Sequence, residues 1–227
     1  MRRPRLRHAG TKCGTRYKDF LRLAAGDKVK IYLIRHGISI ANEQIRYAGT
    51  WDVPLSENGV RDVEMKRDAG LYPKKGGIRL ITSGMRRTEE TLRIIYGDAE
   101  HEAIDAFREM NFGSFEQKTY YDLKDDERYS RWLDDKTGLV RCPDGECRHD
   151  VAERVIPAFY DVLHGGRDSL VVMHGGTISV VMSELFPSDN QFLAWCPKAA
   201  EGYVITAADG ATEYTPLSME NQQVRLI

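Results

Sequence analysis

The stretch Ser169–His174, SLVVMH, constrains the fold of this 227-residue chain more tightly than any other segment. Successive side chains of a strand point to opposite faces, so four apolar residues in a row demand cover on both sides. That is the pattern of a central parallel strand. Parallel strands cannot be joined by tight turns and need long crossovers, usually helical. The sequence supplies both parts. Lys28–Arg35 (KVKIYLIR) and Ile78–Ser83 (IRLITS) read as two further strands. Ser56 is placed to N-cap a helix reaching about Leu71, and Arg87–Tyr96 forms a second helix after IRLITS. Val151, Val155, Phe159, Val162 and Leu163 fall at helical spacing, as do Ile178, Val181, Met182 and Leu185 directly after SLVVMH. Gly202–Ala207 and Thr212–Leu217, separated by Asp209-Gly210, read as a closing hairpin. The expected class is α/β, a three-layer sandwich whose mostly parallel central sheet is flanked by helices. Residues from about 105 to 147 break the rhythm with charges, aromatics, Gly138, Pro143 and Gly145. They read as a small inserted lid region.

Charge divides the chain unevenly. The formal net charge is −1, yet residues 1–28 hold nine Lys/Arg against Asp19 and Asp27, leaving 24 bases and 32 acids in the rest. An acidic body thus carries a basic arm. Residues 1–27 have two readings, a disordered extension or an upstream start-site artefact with the natural chain opening near Val29. The arm has only Tyr17 and Phe20 as aromatics and no nucleic-acid recognition motif, so no nucleic-acid partner is expected. It has no apolar core of a secretory signal. No run of eighteen apolar residues exists, so no membrane partner is expected. Four cysteines are too few for a disulfide scaffold and point to a reducing, cytoplasmic setting. Cys142, Cys147 and His149 cluster, but C-x4-C-x-H lacks a fourth ligand, and no metal site is expected. No Walker A loop or G-x-G-x-x-G follows any strand, which removes nucleotide-fold readings.

In an open parallel sheet the ligand crevice lies beyond the carboxyl ends of the strands. Three such ends carry related chemistry: Arg35-His36-Gly37, Thr82-Ser83-Gly84 followed by Arg86 and Arg87, and His174-Gly175-Gly176. Arginine forks grip phosphate bidentately, and helix N-termini add N–H donors. Neutral histidine serves as nucleophile or base near pH 7. The joint expectation is a phosphoryl pocket with a histidine near phosphorus. Taken singly, each corner is an ordinary polar strand end; three in order favour a site.

The ordered motifs resemble the histidine phosphatase superfamily, the phosphoglycerate-mutase-like fold. Leu33–Asn42 (LIRHGISIAN) resembles its RHG motif, and Asp52-Val53-Pro54-Leu55-Ser56 with Gly59 its D-x-P-L-[ST]-x-x-G segment. Thr82–Thr88 with Thr91 resembles S-x-x-x-R-x-x-x-T. Phe107–Gly113 with Glu116 resembles L-R-E-x-x-F-G-x-W-E. Asp144-Gly145-Glu146 resembles P-x-G-E-S, and Val172–Gly176 the second-histidine motif. The resemblance covers about residues 28–220, making 28–227 one catalytic domain.

By that resemblance His36 is the nucleophile and forms a phosphohistidine. Arg35, Arg87, His174 and Gly175 hold the phosphoryl oxygens, and Asn42 donates a hydrogen bond to them unless it is a plain helix-surface amide. Arg87 is preferred to Arg86 because it keeps the spacing after Ser83. Glu109 matches the proton donor; a carboxyl beside a phosphate dianion holds its proton toward neutral pH. Glu116, the rival, is expected to be structural and paired with a basic neighbour. Phe115, Gln117, Ala41 and Cys147 depart from the common residues of the motifs. Cys147 is either a packed thiol or a redox-sensitive one. The implied chemistry needs no metal and no cofactor. The Phe107–Gly113 spelling is similar to the phosphatase branch, including α-ribazole-phosphatase-like enzymes. The expected activity is hydrolysis of a small soluble phosphate monoester. The alternatives are a phosphoglycerate mutase and a non-catalytic phospho-ligand sensor.

Overall fold

The computed structural model describes residues 28–187 and 192–223. Both readings of the basic arm lie outside the described residues. In chain order the elements are β1 (Lys28–Arg35), α1 (Ile40–Glu43), α2 (Glu57–Asp68), β2 (Arg79–Thr82), α3 (Arg86–Tyr96), β3 (Glu102–Ala103), α4 (Tyr120–Leu123) and α5 (Glu127–Leu133). They continue with α6 (Arg148–His164), β4 (Ser169–Met173), α7 (Gly175–Leu185), β5 (Gly202–Ala208), β6 (Ala211–Leu217) and α8 (Met219–Gln223).

The strands form one sheet in the order β3-β2-β4-β1-β5-β6. β3, β2, β4 and β1 run parallel, while β5 and β6 are antiparallel, closing the sheet with the hairpin expected at Asp209-Gly210. All five residues of β4 are buried, and the strand lies between β2 and β1. Alternation assigns its two faces. Leu33, Ile81, Val171 and Met173 pack with Val155 and Phe159 of α6 and Ile178 and Val181 of α7. Ile34, Leu80, Leu170 and Val172 pack with Leu92 of α3. Helix α2 lies against α3, and α6 against α7, so helices cover both faces in three layers. Each Leu, Ile or Val buried this way contributes about 1.5–3 kcal/mol.

The element following β1 packs on one face and the element following β4 on the other. The neighbouring parallel strands β1 and β4 therefore mark a topological switch point, and a crevice opens beyond their ends. Arg35 registers against Met173, so His36 and His174 leave the sheet side by side.

Residues 105–147, read as a lid region, form short helices that join the main core. Phe107, Met110, Phe115, Leu123, Tyr129 and Cys142 are all buried in it. Rings of Tyr47, Phe112, Phe115, Tyr129 and Trp132 pack together, mostly edge to face. Four elements here and nearby, α1, β3, α4 and α5, have no counterpart in the sequence reading. They are two to seven residues long, too short for periodicity, and α1 and α4 close through capping boxes at Ser39 and Thr119.

Candidate active site

The backbone N–H of His36 donates to the Met173 carbonyl at 3.0 Å, which extends the β1–β4 pairing one residue past the strand. The ring is only 5% exposed, and its Nδ1 lies 2.6 Å from the Gly37 carbonyl oxygen. A carbonyl can only accept, so Nδ1 carries the proton. Burial, then the nearby charges of Arg87 and Arg35, push the His36 pKa well below the ordinary histidine value. The ring is therefore neutral near pH 7, with its lone pair on Nε2. Gly37 donates its N–H to Thr91 Oγ1 at 3.0 Å, and a Cβ there would stand 2.6 Å from Val63 Cγ2.

His174 precedes α7 with its ring centroid 5.1 Å from that of His36. Arg87 Nε donates to His174 Nδ1 at 3.3 Å, so Nε2 carries the proton and donates to Ser83 Oγ at 2.9 Å. Burial first, then Arg87 and His36, hold this ring neutral too, its pKa well below the usual range. Arg87, 1% exposed, also donates to the carbonyls of Ala48, Gly49 and Trp51. Burial lowers its pKa from the ordinary guanidinium value, opposed by Glu109, Asp52 and Glu116. Arg86 is exposed and pairs with Glu90 at 2.8 Å. It lines a separate cavity of about 660 Å³ on the flank of α3, so Arg87, not Arg86, faces the histidines.

Arg35 Nη1 donates to the Pro197 carbonyl at 2.9 Å and lies 3.6 Å from Cys196 Sγ. Among the described residues its buried Nε has no hydrogen-bond partner. A buried donor of a charged group is costly to leave unpaired, which marks this N–H as one that a ligand would satisfy. Glu109 lies across α7: Oε2 accepts the Gly176 N–H at 3.1 Å and Oε1 the Met110 N–H at 2.9 Å. The glycine pair opening α7 is required by proximity. A Cβ on Gly175 would lie 2.6 Å from Cys196 Sγ and 3.4 Å from Arg35 Nε, and one on Gly176 would lie 2.5 Å from Glu109 Oε1. Arg35, His36, Arg87, Glu109, His174 and Gly175 are thus linked at the ends of three strands. Asn42 stands on α1, where its Oδ1 accepts from Ser39 N–H and Oγ–H. Only its amide N–H groups are left for a ligand.

One expectation is corrected. Glu116 is structural, but among the described residues it forms no ion pair: its carboxylate accepts backbone N–H groups of Gly49, Thr50, Trp51 and Phe112. The same 48–51 loop offers its carbonyls to Arg87, so Glu116 and Arg87 clamp the loop from both sides. Two contributors escaped the sequence reading. Arg154 of α6 forks onto Glu146 and also donates to the carbonyls of Ala106, Arg108 and Glu109, fixing the backbone that carries Glu109. Cys196 lies against Arg35 and Gly175. Neither belongs to a recognisable motif; the polar break at Arg154 in the helical pattern was the one available signal. Cys147 is buried at the start of α6, where its side chain accepts the Asp150 N–H. Burial pushes the thiol of neighbouring Cys142 up to about 12. Among the described residues, no three His, Cys, Asp or Glu side chains are grouped to hold a metal ion, and no helix is long and apolar enough to cross a membrane.

The sequence model of the "Histidine phosphatase superfamily (branch 1)" matches residues 31–214. The chain belongs to the histidine phosphatase superfamily. Among curated relatives it is 30% identical, over 169 residues, to "Bifunctional protein Rv2228c" of Mycobacterium tuberculosis, covering 72% of this chain and 43% of that protein. The chain therefore spans less than half the length of this relative. It is 28% identical over 162 residues to "Probable phosphoglycerate mutase GpmB" of Yersinia pestis, covering 69% of this chain and 74% of the relative. Among solved structures, α-ribazole phosphatase from Shigella flexneri superimposes with a TM-score of 0.73 at 22% identity, covering 83% of this chain and 95% of the other. A phosphoserine phosphatase variant from Entamoeba histolytica gives 0.70 at 22% identity, covering 84% and 97%. At these identities the structures establish a shared α/β fold. In this histidine phosphatase superfamily member, Arg35, His36, Arg87, Glu109, His174 and Gly175 are the motif residues that meet beside the β1–β4 switch point.

Proposed function

We propose that the protein is a phosphomonoesterase that hydrolyses a small soluble phosphate ester through phosphorylated His36. The observation that carries this reading is the His36 ring: neutral, with its Nδ1 proton engaged by the Gly37 carbonyl and its Nε2 lone pair unencumbered. In the first step Nε2 attacks phosphorus, the ester O–P bond breaks, and Glu109 passes its proton to the departing alkoxide. In the second step Glu109 takes a proton from water, the hydroxide attacks phosphorus, and the N–P bond breaks with its electron pair returning to Nε2. Arg35, with its unpaired Nε–H, supplies positive charge for the phosphoryl oxygens. The remaining Arg87 N–H, the Asn42 amide and the N-terminus of α7 complete the anion site, while His174, with both nitrogens engaged, holds Arg87 in place.

The test is turnover of p-nitrophenyl phosphate and a panel of phosphorylated metabolites, with trapping of acid-labile phosphate on the protein. His36→Ala is expected to abolish both turnover and labelling. Unchanged activity in that variant refutes the mechanism, whereas a wild-type protein that binds phosphorylated ligands with neither labelling nor turnover favours a phospho-ligand sensor. The relative named as a phosphoglycerate mutase favours a second reading. Formation of 2-phosphoglycerate from 3-phosphoglycerate faster than free phosphate would decide for the mutase.

A further inference from the structure

Lys66 is buried, positively charged and used by no step of the proposed chemistry. It sits near the end of α2, only 6% exposed. Its Nζ donates to the Ala199 carbonyl at 2.7 Å and to Asp62 Oδ2 at 2.9 Å, with Glu201 Oε1 at 3.7 Å. Glu201 is itself 8% exposed. Tyr72 adds a second tie, donating its hydroxyl to the Ala200 carbonyl at 2.9 Å. Helix α2 and its exit thus fasten two successive carbonyls of the loop before β5.

That loop wraps Arg35. Ala200 donates its N–H toward the carbonyls of Arg35, at 3.0 Å, and His36, at 3.2 Å, and Arg35 N–H donates to the Glu201 carbonyl at 2.9 Å. The Pro197 carbonyl accepts from Arg35 Nη1. Ala200 adopts φ +57°, a left-handed conformation that a residue with a Cβ enters at a cost of order 1 kcal/mol or more, and it is fully buried. Such a conformation persists where surrounding contacts over-determine it, and the Lys66 and Tyr72 bonds at Ala199 and Ala200 are those contacts. Burying an ammonium with two carboxylates is a poor route to stability alone, because desolvation offsets the Coulomb gain. Position is what the arrangement secures.

We propose that Lys66 is a positioning residue for phosphoryl binding: through the Ala199–Glu201 backbone it holds the loop that aims the Arg35 guanidinium. This rests on the reading of Arg35 as a phosphoryl ligand. Small misplacement of a binding group costs one to two orders of magnitude in rate, so the effect is measurable.

The test is a double-mutant cycle on p-nitrophenyl phosphate hydrolysis, read as kcat/KM, together with the inhibition constant of inorganic phosphate. Lys66→Met is expected to lower kcat/KM and weaken phosphate inhibition, each about tenfold. In an Arg35→Ala background the same substitution is expected to change kcat/KM by less than about twofold, because the group it aims is gone. A purely structural role would cost the same factor in both backgrounds, and that result overturns the proposal; so does an effect below twofold beside intact Arg35. If Lys66→Met does not fold, Tyr72→Phe takes its place in the cycle, expected to cost about threefold only when Arg35 is present. No effect there also overturns it. A wild-type protein that neither turns over the ester nor is inhibited by phosphate overturns the phosphatase reading and this proposal together. An active wild type with additive variants overturns this proposal alone.

Discussion

At the scale of single residues, the site separates two jobs that one histidine cannot do together. His36 keeps the Nε2 lone pair because the Gly37 carbonyl accepts the Nδ1–H hydrogen bond and so fixes the proton on Nδ1. His174 has both nitrogens engaged, by Ser83 and Arg87, and so contributes a fixed ring rather than a free lone pair. Among the described residues, Glu109 is the carboxyl that touches the N-terminus of α7, at Gly176. Protonation of the leaving oxygen matters most when that oxygen is a strongly basic alkoxide and little when it is a nitrophenolate. Glu109→Gln is therefore expected to lower kcat/KM, which reports the phosphorylation step alone, by about 10²–10⁴-fold on alkyl phosphates and far less on p-nitrophenyl phosphate. Comparing kcat/KM on the two ester classes checks this, and equal losses would remove Glu109 from the proton-donor role.

At the scale of elements, the motifs are explained by backbone proximity as much as by chemistry. Gly59 opens α2 where its Cα meets the Ile38 backbone, and a Cβ there would lie 1.9 Å from the Ile38 carbonyl oxygen. The Ser56 N–H donates to that same carbonyl. Helix α2 is thereby seated directly against the chain leaving His36-Gly37. Gly59→Ala forces backbone apart and is expected to destabilise the fold by about 1–3 kcal/mol, measured by denaturant unfolding. A change below about 0.5 kcal/mol would show that the contact is readily relieved. Asp52 explains its motif differently. Met85, the residue before α3, offers no side-chain cap, and Asp52 reaches over from another loop to accept the Arg86 N–H at 2.8 Å. It caps the helix that carries Arg87.

At the scale of the whole molecule, the two buried histidines tie stability to pH. Both have folded-state pKa values below the unfolded value of about 6.5, with burial the leading cause. As pH falls through about 6.5 the unfolded chain takes up protons that the folded state refuses. Their joint contribution is thus fully present above that pH and is lost progressively below it, by up to about 1.4 kcal/mol per pH unit for each ring. Unfolding free energies measured at pH 7.5, 6.0 and 5.0 are expected to fall accordingly. His174→Gln is expected to be less stable at pH 7.5 but to show a shallower decline. An unchanged slope would mean that His174 is not held neutral.

Much of this architecture was legible in the sequence, for a physical reason that also explains the rest. The strands and long helices carry repeating apolar patterns, because each must bury a face; SLVVMH alone requires cover on two sides. The residues at the strand ends are short-range neighbours of those patterns, so Arg35, His36, Arg87 and His174 align at one sheet edge from the sequence alone. What the tertiary structure decided is everything set by contacts between distant segments. No local pattern reveals that Glu116 clamps the 48–51 loop, that Arg154 anchors the Glu109 backbone, or that Lys66 is buried beneath the Ala199 carbonyl. Those bonds join residues 45 to 133 positions apart, and only the packed sheet edge brings them within reach. The histidine tautomers belong to the same class, since each follows from which partner the fold presents to each ring nitrogen.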